Sequence, residues 1–503
     1  MRKSVSILLP TALLIITLTA CGNATVSAAS EETAPSVTVS GAPTSGDMPG
    51  EPPEGTPPGA PPDGNGGPGA PPDGNGMPGG TPPGDFGGGM PGAPGGSSAD
   101  IDYSAAVEIT SAEAQSGQTY ESSASDESAL LISTSEDVSI TDPTVTKSGD
   151  SDGGDSCNFY GLNAAVLVKD GTAATITGGT ITSDADGSNG VFCYGGNGGQ
   201  NGASGDGTTL FIYDTSITTT GSGSGGIMTT GGGTTYAYDL TVETSGRSSA
   251  AIRTDRGGGT VVVNGGTYTS NGLGSPAIYS TADITVSDAT LVSNLSEGVC
   301  IEGLNSITLI NCDLTANNTQ RNGNATFLDT VMIYQSMSGD AAGGTSHFTM
   351  TGGHLTSRNG HVFHVTNTNA VITLEGVEIV NEDAENILLS VCSDGWSGGS
   401  NAATLKAIAQ KLTGAIKVGS DSALILELTD GSAFEGFIDG SITNAKGETV
   451  SEDAGTVTVT LDSGCIWTLT GDSYVTEFYG DAANVISNGY TLYVNGAALT
   501  GTN

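Results

Sequence analysis

Basic residues are scarce in this chain of 503 residues: 13 Lys and Arg stand against 54 Asp and Glu, with only four His. Removal of residues 1–20, which are expected to be cleaved, takes away Arg2 and Lys3 and leaves 11 − 54 = −43. So acidic a body excludes nucleic acid and anionic membrane as partners. It suits divalent cations, neutral glycans and solubility outside the cell. Beyond the N-terminus no apolar run is long enough to cross a bilayer. Cysteine occurs seven times but never as a CxxC pair or at another zinc spacing. Cys157, Cys193, Cys300, Cys312, Cys392 and Cys465 are scattered like small apolar residues, so buried thiols are expected ahead of bridges. Lys-rich and Leu-rich helical patterns are absent, and proline almost vanishes after about residue 100.

The N-terminus carries its own instructions. Arg2 and Lys3 precede an apolar run from Val5 to Leu18 that is interrupted by Pro10, then Leu18-Thr19-Ala20-Cys21. That order reads as a secretory signal over residues 1–20 rather than a spanning helix. The tetrad resembles the bacterial lipobox, which implies that Cys21 is lipidated and becomes the mature N-terminus. Residues 21–98 follow as a linker. Gly-Ala-Pro-Pro-Asp-Gly-Asn-Gly occurs twice, at residues 59–66 and 69–76, without the strict glycine period of collagen. Such a segment buries no core and is expected to be disordered. Residues 41–98 would reach roughly 200 Å as polyproline II or about 50 Å as a coil, enough to carry a folded body through a cell wall. This favours a Gram-positive owner, a chain lipid-anchored to the outer face of the cytoplasmic membrane, and exposure at the cell surface.

From about residue 100 the texture is Thr, Ser, Gly, Val and Ile, and internal repeats decide the fold. One ladder of apolar residues runs Ile181, Ile217, Val242, Tyr268, Leu291, Leu314, Leu355 and Ile379, each within a Thr-rich short strand. A second, at the same period, runs Val166, Val191, Ile227, Ile252, Ile278, Val299, Ile333, Phe363 and Ile387. Between them lies a third strand type, as in Thr260–Asn264, Asp283–Ser287 and Ala370–Leu374. Three short strands per repeat of about 25 residues, joined by Gly, Asn and Asp turns, predict an all-β, right-handed parallel β-helix. A single turn cannot bury its apolar side, so stability comes from stacking many. A β-sandwich would not keep three strand types in fixed order through eight turns. Residues 99–127 are expected as an N-terminal cap that blunts the exposed edge, 128–404 as the regular β-helix, and 405–503 as C-terminal turns and cap. The excess lengths near 195–207 and 316–330 read as loops projecting from the stack. Trp467–Ser473 followed by Gly489–Gly496 resembles the closing turns of autotransporter passenger β-helices.

On these ladders, residues 101–503 resemble the β-helix surface lipoproteins of Gram-positive anaerobes. Part of that group resembles clostridial carbohydrate-binding β-helix proteins with the pectate-lyase-like fold. The resemblance implies extracellular carbohydrate binding and permits calcium. It does not by itself choose between lyase, hydrolase, adhesin and inert stalk.

Strand alternation places one outward column along the second ladder as Met228, Arg253, Tyr279, Cys300, Tyr334 and His364. A one-residue slip at Val299 would exchange Cys300 for Ile301. A neighbouring column reads Thr230, Asp255, Thr281, Glu302, Ser336 and Thr366. Rings to cover a pyranose and Arg, Asp and Glu to grip hydroxyls make Arg253, Asp255, Arg256, Tyr279, Glu302, Tyr334 and His364 the candidate ligand-binding residues. Arg247, Arg253 and Arg256 suit a uronate or other carboxylate. The competing reading pairs them with Asp255 and Glu302 on a solvated face.

No catalytic residues are assigned. The Asn-Thr-Asp run, Asp-Asp pair and Gly-His-Gly turn of galacturonan hydrolases are missing, and Gly360-His361-Val362 is the nearest approach. A lyase would have only Arg253 with Asp255 and Glu302. Asp150, Asp152 and Asp155, and Asp184, Asp186 and Asn189, are weak calcium candidates, with turn chemistry the competing reading. His361 and His364 straddle one strand and are expected at the surface rather than on a metal. Thr-x-Thr pairs such as Thr180/Thr182 and Thr267/Thr269 reflect β-propensity, since Glu243, Asp313, His354 and Glu378 interrupt any flat array. The expected function is non-catalytic binding of a polysaccharide, a cell-wall glycan or another extracellular surface by a monomer. The alternatives are a polysaccharide lyase or hydrolase of pectate-lyase-like fold, and a structural stalk without ligand.

Overall fold

A computed structural model describes residues 101–198 and 204–503. The signal segment, Cys21 and the Pro/Gly-rich linker lie outside the described residues, as does part of the 195–207 loop. The body is a right-handed parallel β-helix. Three sheets of 13, 14 and 10 strands run along it, and through Glu378–Asn381 every third strand in sequence belongs to the same sheet. A further sheet of four strands continues the third face toward the C-terminus. The segment expected as a cap instead forms a full first rung: Ser104–Ile109, Glu113–Ser116 and Thr119–Ser122 pair in parallel with their equivalents one turn on.

The first ladder stacks as the sequence implies. Ile181, Ile217, Val242, Tyr268, Leu291, Leu314, Leu355 and Ile379 occupy one column of the third sheet. The second ladder holds through Val299 and then departs. Val331, not Ile333, stacks on Val299 and beneath Phe363, and Leu389, not Ile387, stacks on Phe363. Val331 and Ile333 both point inward and are fully buried, so strand alternation alone could not choose between them. The interior column is apolar throughout. All six cysteines among the described residues are buried and unbridged.

The corner between the second and third sheets shows how sequence sets the coil. In eleven successive rungs it is two residues long, and its first residue is left-handed: Gly117, Asp142, Gly178, Asp214, Asp239, Gly265, Asp288, Asn311, Gly352, Gly376 and Ala409. Asp, Asn and Gly tolerate this conformation best, which explains their recurrence at the turn. The corner before the first sheet is held differently, by a buried serine ladder. Ser188, Ser224 and Ser249 each donate a backbone N–H, at 2.9 Å, to the hydroxyl of Ser224, Ser249 and Ser275 one rung on. All long connections lie at the two edges of the first sheet. Residues 148–165, 317–328 and 335–344 are the clearest.

Candidate functional site

The outer column of the first sheet runs Leu167, Phe192, Met228, Arg253, Tyr279, Cys300, Met332, His364, Ser390, Lys417 and Asp439. Cys300 keeps its expected place. Met332 stands where Tyr334 was expected, and Tyr334 stands in the neighbouring column where Ser336 was expected, stacked between Glu302 and Thr366. Both changes follow from the two-residue shift at Val331.

The sequence therefore brings its candidate residues together, but not on an open face. Arg253, Asp255, Tyr279, Glu302, Tyr334 and His364 are all at most 7% exposed. The long connections fold back over the sheet instead of projecting. The helical turn Asp155–Tyr160 lays Phe159 and Tyr160 over Leu167, Phe192 and Met228. Trp396 covers Tyr334 with ring centroids 4.9 Å apart, and Phe327 lies 4.6 Å from His364.

Beneath this cover runs a polar seam. Arg253 Nη2 sits 2.7 Å from Asp255 Oδ2 and donates through Nη1 to Asn158 Oδ1 and the Ser248 carbonyl. Tyr279 and Tyr334 donate to Glu302 Oε2 at 2.6 and 3.2 Å, and Ser336 donates to Oε1. Arg256 reaches Asp340 at 2.6 Å across the Phe159 ring, and Arg247 bonds Asn322. The arginines are thus held by their own fold, and the expected solvated face is corrected to one buried at Arg253 and half-covered at Arg247 and Arg256. Burial pushes Asp255 up to about 7 despite Arg253 beside it. Burial likewise raises Glu302 against the hydroxyls that bond it.

His361 and His364 are also buried, contrary to the surface placement expected of them. Both Nδ1 atoms lie 2.7 Å from Ser390 Oγ, and His364 Nε2 lies 3.4 Å from Asp394 Oδ2. The calcium candidates stay in the turns. Asp150 accepts the Asp186 N–H, Asp186 accepts the Ser222 N–H, and Asn189 accepts the Gly225 N–H. Asp155 opens the helical turn, while Asp152 and Asp184 are exposed. Among the described residues no three His, Cys, Asp or Glu side chains gather to hold a metal ion.

The open aromatic surface lies elsewhere, on the second sheet. Phe211 and Tyr213 of Thr209–Tyr213 stack on Tyr236 and Tyr238 of Gly233–Tyr238, at 5.0 and 4.7 Å with planes 9° and 6° apart. All four are half-buried on the outer side. On the N-terminal side of Phe211 its column continues as Thr175, Ser139 and Ala114. These side chains are too small to cover the ring. The result is an open groove of about 560 Å³ lined by Glu113, Asp137, Ser139, Thr175 and Phe211 among others. One face of Phe211 closes its end. Sequence reasoning missed these residues, although the signal was present: aromatics at i and i+2, repeated 25 residues later, at outward positions that the preceding rungs fill with Thr175 and Thr177, Ser139 and Thr141. No protein-family model, curated protein or solved structure matches the chain.

Proposed function

We propose that this chain is a surface-displayed lipoprotein, anchored through Cys21, whose β-helix binds a neutral glycan without catalysis. The binding surface in this reading is the groove on the second sheet that ends at Phe211. The observation that carries it is the uncovered Phe211 ring face over three rungs of small side chains. A pyranose lying there would set its apolar face on the ring while Glu113, Asp137, Ser139 and Thr175 take its hydroxyls. The exposed carboxylates at the neighbouring corners, Asp214 and Asp239, disfavour an acidic sugar. The arginines that suited a uronate are paired within the fold, Arg253 in full burial and Arg247 and Arg256 half-buried, which removes the main support for a lyase working on one. The signal segment, the lipobox and the resemblance to Gram-positive β-helix lipoproteins favour display beyond the wall.

The test is affinity electrophoresis and a glycan array with the mature chain and its Phe211→Ala variant, with and without calcium. Retention on a neutral polysaccharide, lost in Phe211→Ala and unaccompanied by unsaturated products, is expected. Retention unchanged in Phe211→Ala would move the site away from this groove. Release of unsaturated oligosaccharides would make the protein a lyase.

A further inference from the structure

A second cleft, of about 320 Å³, opens near the C-terminal end of the first sheet, where the covering loops stop. Its apolar wall is Ile387, Ala415, Phe437 and Ile442. Facing that wall are His361, Lys417, Ser441 and Thr443, with exposed Glu385 at the rim. His361 is 7% exposed, and its Nδ1 is taken by Ser390. Among the described residues nothing hydrogen-bonds its Nε2, the ring's remaining polar atom.

We propose that this cleft binds a single neutral, hydroxyl-bearing ring such as a monosaccharide unit, with His361 Nε2 accepting a hydrogen bond from one of its hydroxyls. The site is independent of the Phe211 groove. The tautomer follows from the atoms behind it. The Asp394 carboxylate lies 3.4 Å from His364 Nε2 and favours a proton there. Burial alone would raise Asp394, yet hydrogen bonds from the His364 side chain and from Thr326 hold it below the usual carboxylate range. In the proposed order His364 carries its proton on Nε2, toward Asp394, and its Nδ1 accepts the Ser390 hydroxyl proton. Ser390 Oγ in turn accepts from His361 Nδ1–H. That order of donors leaves Nε2 without a proton on a ring that lines the cleft. Burial also drives the His361 pKa down to about 3, so the ring stays neutral.

Charge selects the ligand class. Lys417 is the cation at the cleft, but Asp439 holds it at 2.7 Å and it lies 4.8 Å from the Phe437 ring centroid. Glu385 adds a negative charge at the mouth. No uncompensated positive charge remains for a carboxylate or phosphate, whereas two hydroxyls, a bare imidazole nitrogen and an apolar wall match a polyol ring. The volume falls at the small end of ligand pockets.

The chain has only four histidines, so nitrogen-15 NMR of the histidine-labelled protein reads the site directly. The probes are glucose, galactose, mannose and N-acetylglucosamine, each titrated separately. The expected result is an unprotonated Nε2 signal for His361 that moves with at least one sugar at millimolar concentration. His361→Ala should weaken binding of that sugar about tenfold, the loss of one hydrogen bond to a ligand. Thr443→Trp, at the exposed rim, should block it without touching the histidine network, which guards against misfolding of the first variant. Phe211→Ala should leave the His361 response unchanged, so failure of the groove and failure of the cleft are read separately. A protonated Nε2, or no movement of the His361 signals with any of the four sugars, overturns the proposal.

Discussion

The outer faces of the first and second sheets begin from similar side chains and end in opposite environments. One carries Arg253, Tyr279 and Glu302 within three rungs. The other carries Phe211, Tyr213, Tyr236 and Tyr238 within two. The first is sealed and the second is open, and the difference lies in the connections. The corner between the second and third sheets is two residues long in eleven rungs and has nothing to spare for a cover. Both edges of the first sheet carry long insertions, and these fold inward because their own apolar residues, Phe159, Phe327 and Trp396, need burial as much as the sheet does. In a solenoid, turn length rather than strand composition decides which face meets solvent. A polar residue under a cover then becomes structural.

The comparison breaks most visibly at Asp255. Asp255→Ala leaves Arg253 charged and buried without its ion-pair partner, which should cost about 3–5 kcal/mol. On the open face, Asp283→Ala removes an exposed carboxylate that bonds Ser306, and should change stability by no more than about 0.5 kcal/mol. Urea unfolding of both variants beside the parent checks this. Equal losses would show that the covering loops do not exclude water.

A second consequence is a reversed dependence on acid. Asp255, Glu297, Glu302 and Asp329 all have carboxyl pKa values raised by burial, Asp255 to about 7 from 3.8. In that window the folded chain keeps protons that the unfolded chain has released. Stability therefore falls as pH rises from about 4 to about 7, and is greatest in mild acid. Urea midpoints across this range should decline with pH, and Asp255→Asn should flatten the decline. A midpoint that rises with pH would mean that the seam is hydrated and its carboxylates are ordinary.

The reach of the sequence follows the same division. The fold was legible because each rung repeats a period-2 strand and a left-handed Asp, Asn or Gly, so Ile181 through Ile379 identify one another without any structure. The candidate column was legible as far as Cys300. Beyond it the inserted loop 317–328 removed the period that fixed the register, and Val331 and Ile333 offered two equivalent inward residues. Burial of the column was not legible. Phe327 and Trp396 lie 48 and 117 residues after Tyr279, in stretches without repeat, and only long-range packing brings them over the sheet. The Phe211–Tyr238 surface was legible and overlooked, because reading outward residues along one ladder left the third strand type unexamined.

Removal of one phenol oxygen sharpens the contrast at smaller scale. Tyr279→Phe takes a 2.6 Å donor from the buried Glu302 carboxyl and should destabilise the fold by about 1–3 kcal/mol. Tyr238→Phe keeps the stacked ring and removes a hydroxyl that water already serves, so its effect should stay within about 0.5 kcal/mol. Thermal unfolding of the pair reads the difference. Equal shifts would place both hydroxyls in the same environment.

The smallest expected effect lies in the open face's own boundary. Ala409 is the one corner residue of the eleven that is neither Gly, Asn nor Asp, and it adopts φ 48 with its side chain exposed. A left-handed alanine costs roughly 1–2 kcal/mol, while glycine adds about 0.4–1 kcal/mol of unfolded-state entropy. Ala409→Gly should therefore stabilise the protein by about 0.5–1 kcal/mol. The converse change at the equivalent corner, Gly265→Ala, meets φ 72 and places a methyl 2.0 Å from Asp239 Oδ1, so it should destabilise by at least as much as the first change stabilises. Opposite shifts in urea midpoint would tie the two-residue corner to the stability of the coil. If Ala409→Gly were neutral, the left-handed strain would be relieved elsewhere, and the corner would follow the stack rather than set it.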